Sequence, residues 1–122
     1  MKNQAYRMAL LFDFYGEVLT DRQKEFYDLY YNEDLSLAEI AENYDISRQG
    51  VRDAIVRGEE ILTELEEKTG LIRRFKENQA LLHKIELQVD EVIKYTHNVN
   101  GFDGVSAILE QIKHDVSTLY KE

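Results

Sequence analysis

Apolar residues recur every three or four positions along the first fifteen residues, which is the spacing of an amphipathic helix. Tyr6, Leu10 and Phe14 form one stripe of this pattern, and Leu11 and Tyr15 lie beside it. Gly16 follows the last apolar position and is the expected C-terminal stop. The pattern therefore predicts a first helix over residues 3–15.

Three further helices each begin at a residue whose hydroxyl can accept a hydrogen bond from a free backbone amide. Two of these caps are followed, three positions later, by glutamine or glutamate, which is the spacing of a capping box. The caps are Thr20 with Gln23, Ser36 with Glu39, and Ser47 without a box partner. Gly70 is the expected stop of the last of these helices. The pattern predicts helices over residues 20–32, 36–44 and 47–70.

From Leu71 onward, apolar residues alternate in steps of four and three, which is heptad spacing. One seam comprises Leu71, Phe75, Asn78, Leu82, Ile85, Val89 and Val92, and a second comprises Phe102, Val105, Leu109, Ile112, Val116 and Leu119. The short turn at residues 96–101 between them predicts an antiparallel helical hairpin. The seams can pack on each other, on the first four helices or on another subunit, which would give a homodimer or higher homo-oligomer. Asn78 either fixes register or lies at the seam's edge.

The segment SLAEIAENYDISRQGVRDAI, residues 36–55, matches the pattern of a helix-turn-helix. The motif needs a small residue where its two helices cross, and Ala41 stands there. Its turn needs a residue that tolerates a left-handed backbone, and Asp45 stands where glycine is usual. Apolar anchors then point inward, and these are Ile46, Val51 and Ile55.

The N-terminal end of the second helix of such a motif meets base edges when the helix enters a DNA major groove. Ser47, Arg48, Gln49 and Arg52 occupy that end here. Arginine can pair with guanine and glutamine with adenine, and Arg57 could reach a phosphate. These five residues are the predicted DNA-binding site. The alternative is that the two helices are only a packing unit.

The distribution of charge weighs against strong contact with DNA. The chain has a net charge of −9, and residues 20–70 alone contain six basic and fourteen acidic residues. An acidic surface repels phosphate, whereas a dedicated DNA-binding domain usually shows a basic stripe. The alternative function is therefore an acidic protein-interaction or scaffold module whose helix-turn-helix no longer binds DNA.

The sequence gives little support for a metal site, a cofactor site or a catalytic site. Cysteine is absent and the six glycines are scattered, which excludes thiolate sites and a phosphate-binding glycine loop. His83, His97 and His114 have no second histidine at metal-ligand spacing. We therefore expect no metal, no cofactor and no enzymatic activity. The first apolar stretch is too short and polar to be a signal peptide or membrane span, which predicts a cytoplasmic protein without membrane contact.

Eight tyrosines are many for a chain of this length. Tyr27, Tyr30 and Tyr31 cluster on the second helix, where two arrangements are open. They either form an aromatic contact surface or place their rings in the core with their hydroxyls at its edge.

Residues 19–55 resemble region four of bacterial sigma factors and the related helix-turn-helix of response regulators. The whole chain is similar to the YlxM family of small proteins from Gram-positive bacteria, through the stretches RMALLFDFYGEVLTDRQ and IAENYDISRQGVRDAI. The resemblance is strongest over residues 7–76, and it matches Arg48, Gln49 and Arg52 to the sigma recognition helix. Asp45 at the turn and the glutamates at residues 59–67 depart from the sigma pattern.

Pattern and resemblance together predict an all-α fold. A helix-turn-helix domain without a wing, residues 1–70, is followed by an antiparallel helical hairpin, residues 71–122. The resemblance further implies a DNA-binding regulatory protein of the signal recognition particle targeting pathway, because genes of the family typically lie beside the gene for that particle's GTPase. The particle's RNA and its GTPase are therefore expected partners besides DNA.

Overall fold

The computed structural model of the chain describes residues 4–96, 101 and 103–120. Within these ranges the fold is all-α, as the sequence predicts. The helices are α1 (Ala5–Tyr15), α2 (Asp21–Tyr31), α3 (Leu37–Tyr44), α4 (Arg48–Thr69), α5 (Leu71–Thr96) and α6 (Asp103–Tyr120). Over the same ranges, none of the helices combines the length and the apolar character that crossing a bilayer requires.

The structure consists of two compact units, residues 1–72 and 73–122, which we call the N-terminal unit and the C-terminal unit. α1 to α4 and the first residues of α5 form the N-terminal unit, and its most extensive packing is that of α2 against α4. The largest fully buried side chains of its core are Leu11, Phe26, Tyr27, Ile40, Val51, Ile55 and Leu62. Because Ile72 also packs into this core, the unit ends two residues later than the predicted boundary at residue 70.

The buried side of α1 lies next to the stripe of Tyr6, Leu10 and Phe14. Tyr6 is 76% exposed and Phe14 lies at the surface, whereas Leu11 and Tyr15, which the sequence pattern places beside that stripe, are buried. Met8 is buried as well, and the Tyr27 hydroxyl donates to the Met8 carbonyl at 2.7 Å. Since α1 has apolar residues around most of its circumference, its periodicity does not select one side. The packing of α1 against α2 and α4 selects the side that is buried.

The ends of the helices follow the predicted signals closely. The capping boxes of Thr20 with Gln23 and of Ser36 with Glu39 are both complete, and the Ser47 hydroxyl accepts from the Gly50 amide at 3.0 Å. Caps of this kind contribute roughly 1 kcal/mol each. Gly70 ends α4 in the left-handed conformation, with φ of 61°. Gly16 ends α1 differently, because it keeps right-handed geometry and begins a short 3₁₀ helix, Gly16–Val18.

α6 and all of α5 except its first two residues form the C-terminal unit, and the two helices run antiparallel, as predicted. Lys113 Nζ of α6 lies 2.9 Å from Asp90 Oδ1 of α5. Further along α6, Leu119 lines the same surface hollow as Leu82, which is earlier in α5. Later residues of one helix therefore meet earlier residues of the other.

The two predicted seams are only partly covered. Val89 and Val116 are buried, whereas Val92 and Leu119 are exposed although they belong to the same heptad patterns. Asn78 is exposed as well, so it lies at the edge of its seam rather than inside it. Residue 102, the first position of the second seam, and residues 97–100 of the predicted turn lie outside the described residues.

Candidate nucleic-acid interface

α3 and α4 form the predicted helix-turn-helix, and the turn between them has the required geometry. Asp45 adopts the left-handed backbone conformation, with φ of 53° and ψ of 47°. The Ile46 amide donates to the Ala41 carbonyl at 3.1 Å, and the Asp45 amide donates to the Glu42 carbonyl at 3.4 Å. These two bonds are those of a Schellman motif, which satisfies the free carbonyls at a helix end. The chain thereby reverses direction just before Ser47, the N-cap of α4.

Buried anchors fix which side of α4 faces outward. Ile40 of α3 and Val51 and Ile55 of α4 are fully buried, and Ala41 is nearly so. Val51 and Ile55 are one helical turn apart, so they hold one side of α4 against the core and turn the opposite side to solvent. Burial of each branched side chain contributes roughly 1.5–3 kcal/mol. This packing determines which residues of α4 can reach a ligand.

The residues of the predicted DNA-binding site are all exposed, and these are Ser47, Arg48, Gln49, Arg52 and Arg57. The first four lie within about 8 Å along the start of α4, given a rise of 1.5 Å per residue. Ser47 Oγ already accepts from the Gly50 amide, so its hydroxyl proton is what it can offer a ligand. Arg48, Gln49 and Arg52 therefore form the accessible polar group at this end of the helix.

Arg57 does not join that group. It follows Arg48 by nine residues, which is two and a half helical turns, so the two side chains leave α4 on opposite sides. The Arg57 guanidinium instead lies 3.7 Å from the carboxylate of Glu60, and both side chains are exposed. A phosphate held by Arg57 would therefore not be the one that approaches Arg48.

Asp53 belongs to the candidate site although the sequence analysis did not select it. Gln49 Nε2 donates to Asp53 Oδ1 at 2.7 Å, across one helical turn. A glutamine that reads adenine needs its carbonyl as acceptor and one N–H as donor. Since the amide has two N–H protons, Asp53 fixes its orientation and leaves both required groups available. The i,i+4 spacing of glutamine and aspartate was the signal that predicts this pair.

The sign of the surface charge changes along α4. Its N-terminal end carries Arg48 and Arg52 together with the positive end of the helix dipole. The second half is acidic over residues 59–67, where a hydrogen bond from Lys68 to Glu64, at 2.8 Å, lowers the pKa of that carboxyl. The local charge of α4 is thus positive over its first turns and negative over its second half.

A surface groove of about 460 Å³ adjoins Arg48. The beginning of α3 forms one wall of this groove, and its other lining residues are Tyr30, Ser36, Leu37 and Ala38. In helix-turn-helix complexes the first helix crosses the DNA backbone while the second enters the major groove. Arg48 therefore lies beside the N-terminal end of α3, where the two helices of the motif meet at the surface.

Tyrosine hydroxyls hold α4 to the helices that carry it. The hydroxyl of Tyr31 in α2 donates to Glu59, and that of Tyr15 in α1 donates to Glu66 at 2.6 Å. Burial raises the pKa of Tyr31, and the bond to Glu59 raises it further. All three tyrosines of the cluster on α2 are buried, so they belong to the core and not to an aromatic contact surface.

Metal chemistry gains no support from the described residues. Among them, no three histidine, aspartate or glutamate side chains are grouped closely enough to hold a metal ion. His83 and His114 are exposed, and His97 lies outside the described residues.

Comparison with known proteins finds a family model and several relatives to which this chain is similar. A family model named UPF0122 and described as "Putative helix-turn-helix protein, YlxM / p13 like" matches residues 2–100, which include the whole helix-turn-helix. A UPF0122 protein of Desulforamulus reducens is 49% identical over 83 residues, covering 67% of this chain and 71% of the relative. One of Listeria innocua is 43% identical over 102 residues, 79% of this chain and 93% of the relative. One of Bacillus cereus is 47% identical over 91 residues, covering 75% of this chain and 83% of the relative.

Proposed function

The chain belongs to the UPF0122 family of YlxM-like helix-turn-helix proteins, and from this premise we propose that it is a cytoplasmic DNA-binding regulatory protein. The observation that carries the proposal is the exposed group of Arg48, Gln49 and Arg52 at the start of α4. Gln49 leaves α4 on the side opposite the buried anchors Val51 and Ile55. Arg48 and Arg52 flank the buried side at the exposed N-terminal end of α4, which is the end of a recognition helix that meets base edges. The proposal involves no catalytic step, in keeping with a regulatory type of all-helical fold.

Binding would proceed by insertion of the first turns of α4 into the major groove. The guanidinium groups of Arg48 and Arg52 can each donate two hydrogen bonds to a guanine edge or to a phosphate. Gln49, oriented by Asp53, can pair with adenine. Each bidentate pair discriminates against a wrong base by roughly 1–3 kcal/mol. Because the N-terminal unit has twice as many acidic as basic residues, eight basic and sixteen acidic over residues 1–72, we expect weak non-specific binding and a correspondingly large share of base readout.

The signal recognition particle pathway is the physiological setting that we propose for this regulator. The resemblance to the YlxM family supports it, because genes of that family typically neighbour the gene for the particle's GTPase. The protein would act on the DNA upstream of that operon or on the particle's RNA or GTPase. A homo-oligomer formed through the helical seams also belongs to the proposal, and a dimer would carry two copies of α4 for two DNA half-sites.

A second candidate function is an acidic protein-interaction module that has lost DNA binding. The observation that favours it is a surface hollow of about 530 Å³ along the second half of α4. Its lining is predominantly acidic and consists of Met8, Glu59, Glu60, Thr63, Glu64 and Glu67. Such a surface complements a basic patch of a partner protein and would repel nucleic acid.

Titration of the full chain by fluorescence anisotropy tests these functions against each other. The ligands are the operon's upstream duplex, an unrelated duplex, the particle's RNA and its GTPase, at low and moderate salt. We expect preferential binding to the upstream duplex, reduced about tenfold or more by Arg48→Ala and by Arg52→Ala. Arg74→Ala, which removes the same charge from the C-terminal unit, is the matched control and should leave the affinity unchanged.

The contrary results are equally specific. Equal affinity for both duplexes, or no loss in the two arginine variants, would refute DNA recognition by α4. Binding to the GTPase that persists in Arg48→Ala and Arg52→Ala would favour the acidic interaction module instead.

A further inference from the structure

The C-terminal unit buries few of its own apolar side chains. Among the described residues, Val89 of α5 and Val116 of α6 are the buried hydrophobic side chains of this unit, whereas fourteen are buried in the N-terminal unit. Two helices of this length do not provide a core that is sufficient for stability unless more apolar surface is covered. The uncovered apolar side chains of this unit are therefore the feature to explain.

α6 carries most of this exposed apolar surface on one side. Val105, Ile108, Ile112 and Leu119 are exposed and follow one another at steps of three, four and seven residues. Heptad spacing of this kind places them along one line of the helix. Ile108 and Leu119 are 62% and 65% exposed, although Val116 of the same helix is buried. The predicted seam of α6 is thus divided, with one edge turned toward α5 and the other left open.

α5 extends the open surface. Leu81 and Val92 are both exposed and stand eleven residues apart, which is three helical turns and hence one side of the helix. Leu81 also lines the same hollow of about 370 Å³ as Leu119 of α6. Together these six residues, Leu81, Val92, Val105, Ile108, Ile112 and Leu119, form what we call the outer apolar face. It presents on the order of several hundred Å² of apolar surface, a size that marks interaction sites.

We infer that the outer apolar face is covered by the same face of a second copy of this chain. Two antiparallel helix pairs with heptad-spaced apolar edges can close into a four-helix bundle, and a two-fold axis lets one face be its own partner. The resulting contact would bury the exposed edges of both seams. This inference deepens the homo-oligomer that is part of the proposed function, and it does not depend on contact with DNA.

The distribution of charge favours a second copy as the occupant. Residues 73–122 contain seven basic and eight acidic residues, whereas residues 1–72 contain eight basic and sixteen acidic residues. Two C-terminal units can therefore meet without net repulsion, while the acidic N-terminal units repel each other. The same near-neutral balance offers no strong attraction to a highly charged partner, so the apolar face itself provides the recognition.

Sedimentation equilibrium of the full chain, from low to high micromolar concentration, tests the inference. We expect the mass of a dimer for the wild-type chain. Ile108→Asp places a charge inside the contact on both copies and should raise the dimer dissociation constant by about 100-fold or more. Leu87→Asp is the matched control, because Leu87 is 55% exposed but lies on a different side of α5 from Leu81 and Val92. It should remain dimeric.

The mass measured for the wild-type chain shows whether it forms a dimer, even if a variant fails to fold. A monomer over the whole concentration range would overturn the inference, and so would equal dissociation of Leu87→Asp and Ile108→Asp. Circular dichroism and the milder variant Ile108→Gln separate loss of contact from loss of the helices. Anisotropy with a single-site duplex, repeated on monomeric Ile108→Asp, reports DNA binding independently. A dimer that ignores DNA would thus refute the proposed function alone, and a DNA-binding monomer would refute this inference alone.

Discussion

Replacement of Asp45 by glycine should stabilise the N-terminal unit, because residue 45 holds a left-handed backbone with φ of 53°. In this conformation a Cβ atom crowds the following carbonyl, which costs roughly 1–2 kcal/mol for an ordinary residue and less for aspartate. Glycine removes that cost but makes the unfolded chain freer, which costs roughly 0.4–1 kcal/mol. We therefore expect a net gain of about 0.5 kcal/mol.

Two comparison variants isolate the contribution of the backbone. The hydrogen bonds of the turn come from main-chain amides of Asp45 and Ile46, so a glycine leaves them in place. Asp45→Ala keeps the Cβ atom and loses the short polar side chain, and it should destabilise by about 1 kcal/mol. Asp34, with φ of 58°, is a second left-handed aspartate outside the motif. Asp34→Gly should stabilise to a similar degree.

Urea denaturation followed by circular dichroism and tyrosine fluorescence provides the measurement, since the tyrosines that are buried among the described residues lie in the N-terminal unit. A gain of about 0.5 kcal/mol in the free energy of unfolding corresponds to a rise of about 2 °C in Tm. If Asp45→Gly were less stable than the wild type while Asp45→Ala were unchanged, the left-handed turn and the helix-turn-helix geometry built on it would be wrong.

Gly58 and the buried tyrosines give two further predictions. A Cβ atom at Gly58 would lie 3.3 Å from Tyr27 Cδ2, so Gly58→Val should wedge α2 away from α4 and cost roughly 1–3 kcal/mol of stability; an unchanged urea midpoint would contradict this packing. Burial raises the pKa of Tyr27 and of Tyr31. The stability that these two buried, neutral hydroxyls contribute is thus fully present below about pH 10, where unfolded tyrosine titrates, and is lost as pH rises further. Between about pH 8 and about pH 12, the urea midpoint should fall less steeply with pH for Tyr31→Phe than for the wild type. Parallel curves would refute the attribution of this pH dependence to Tyr31.

Local sequence signals predicted the helices and their ends accurately. Ser36 with Glu39 and Thr20 with Gln23 form their capping boxes because both partners lie within one helical turn, so no distant residue is needed. The left-handed conformation of Asp45 and the burial of Val51 and Ile55 follow from the same kind of short-range pattern. The exposure of the candidate site residues was predictable for this reason.

The buried side of α1, the residues that support α4 and the surface left open on the C-terminal unit required the tertiary structure. α1 is apolar on most sides, so Met8 rather than Tyr6 is buried only because α2 and α4 meet it there. The bond from Tyr31 to Glu59 joins residues 28 positions apart, a separation that no periodicity encodes.

Short-range patterns along the chain were sufficient to predict an all-helical fold, the caps and turn of its helix-turn-helix, and a pair of helices with apolar seams, because each of these depends on residues within a few positions of one another. The exposure of Ile108 and Leu119 beside the covered Val116 became apparent only once the helices were packed together. Heptad spacing defines a line of apolar residues along a helix, but how much of that line a neighbouring helix covers depends on where the two helices cross.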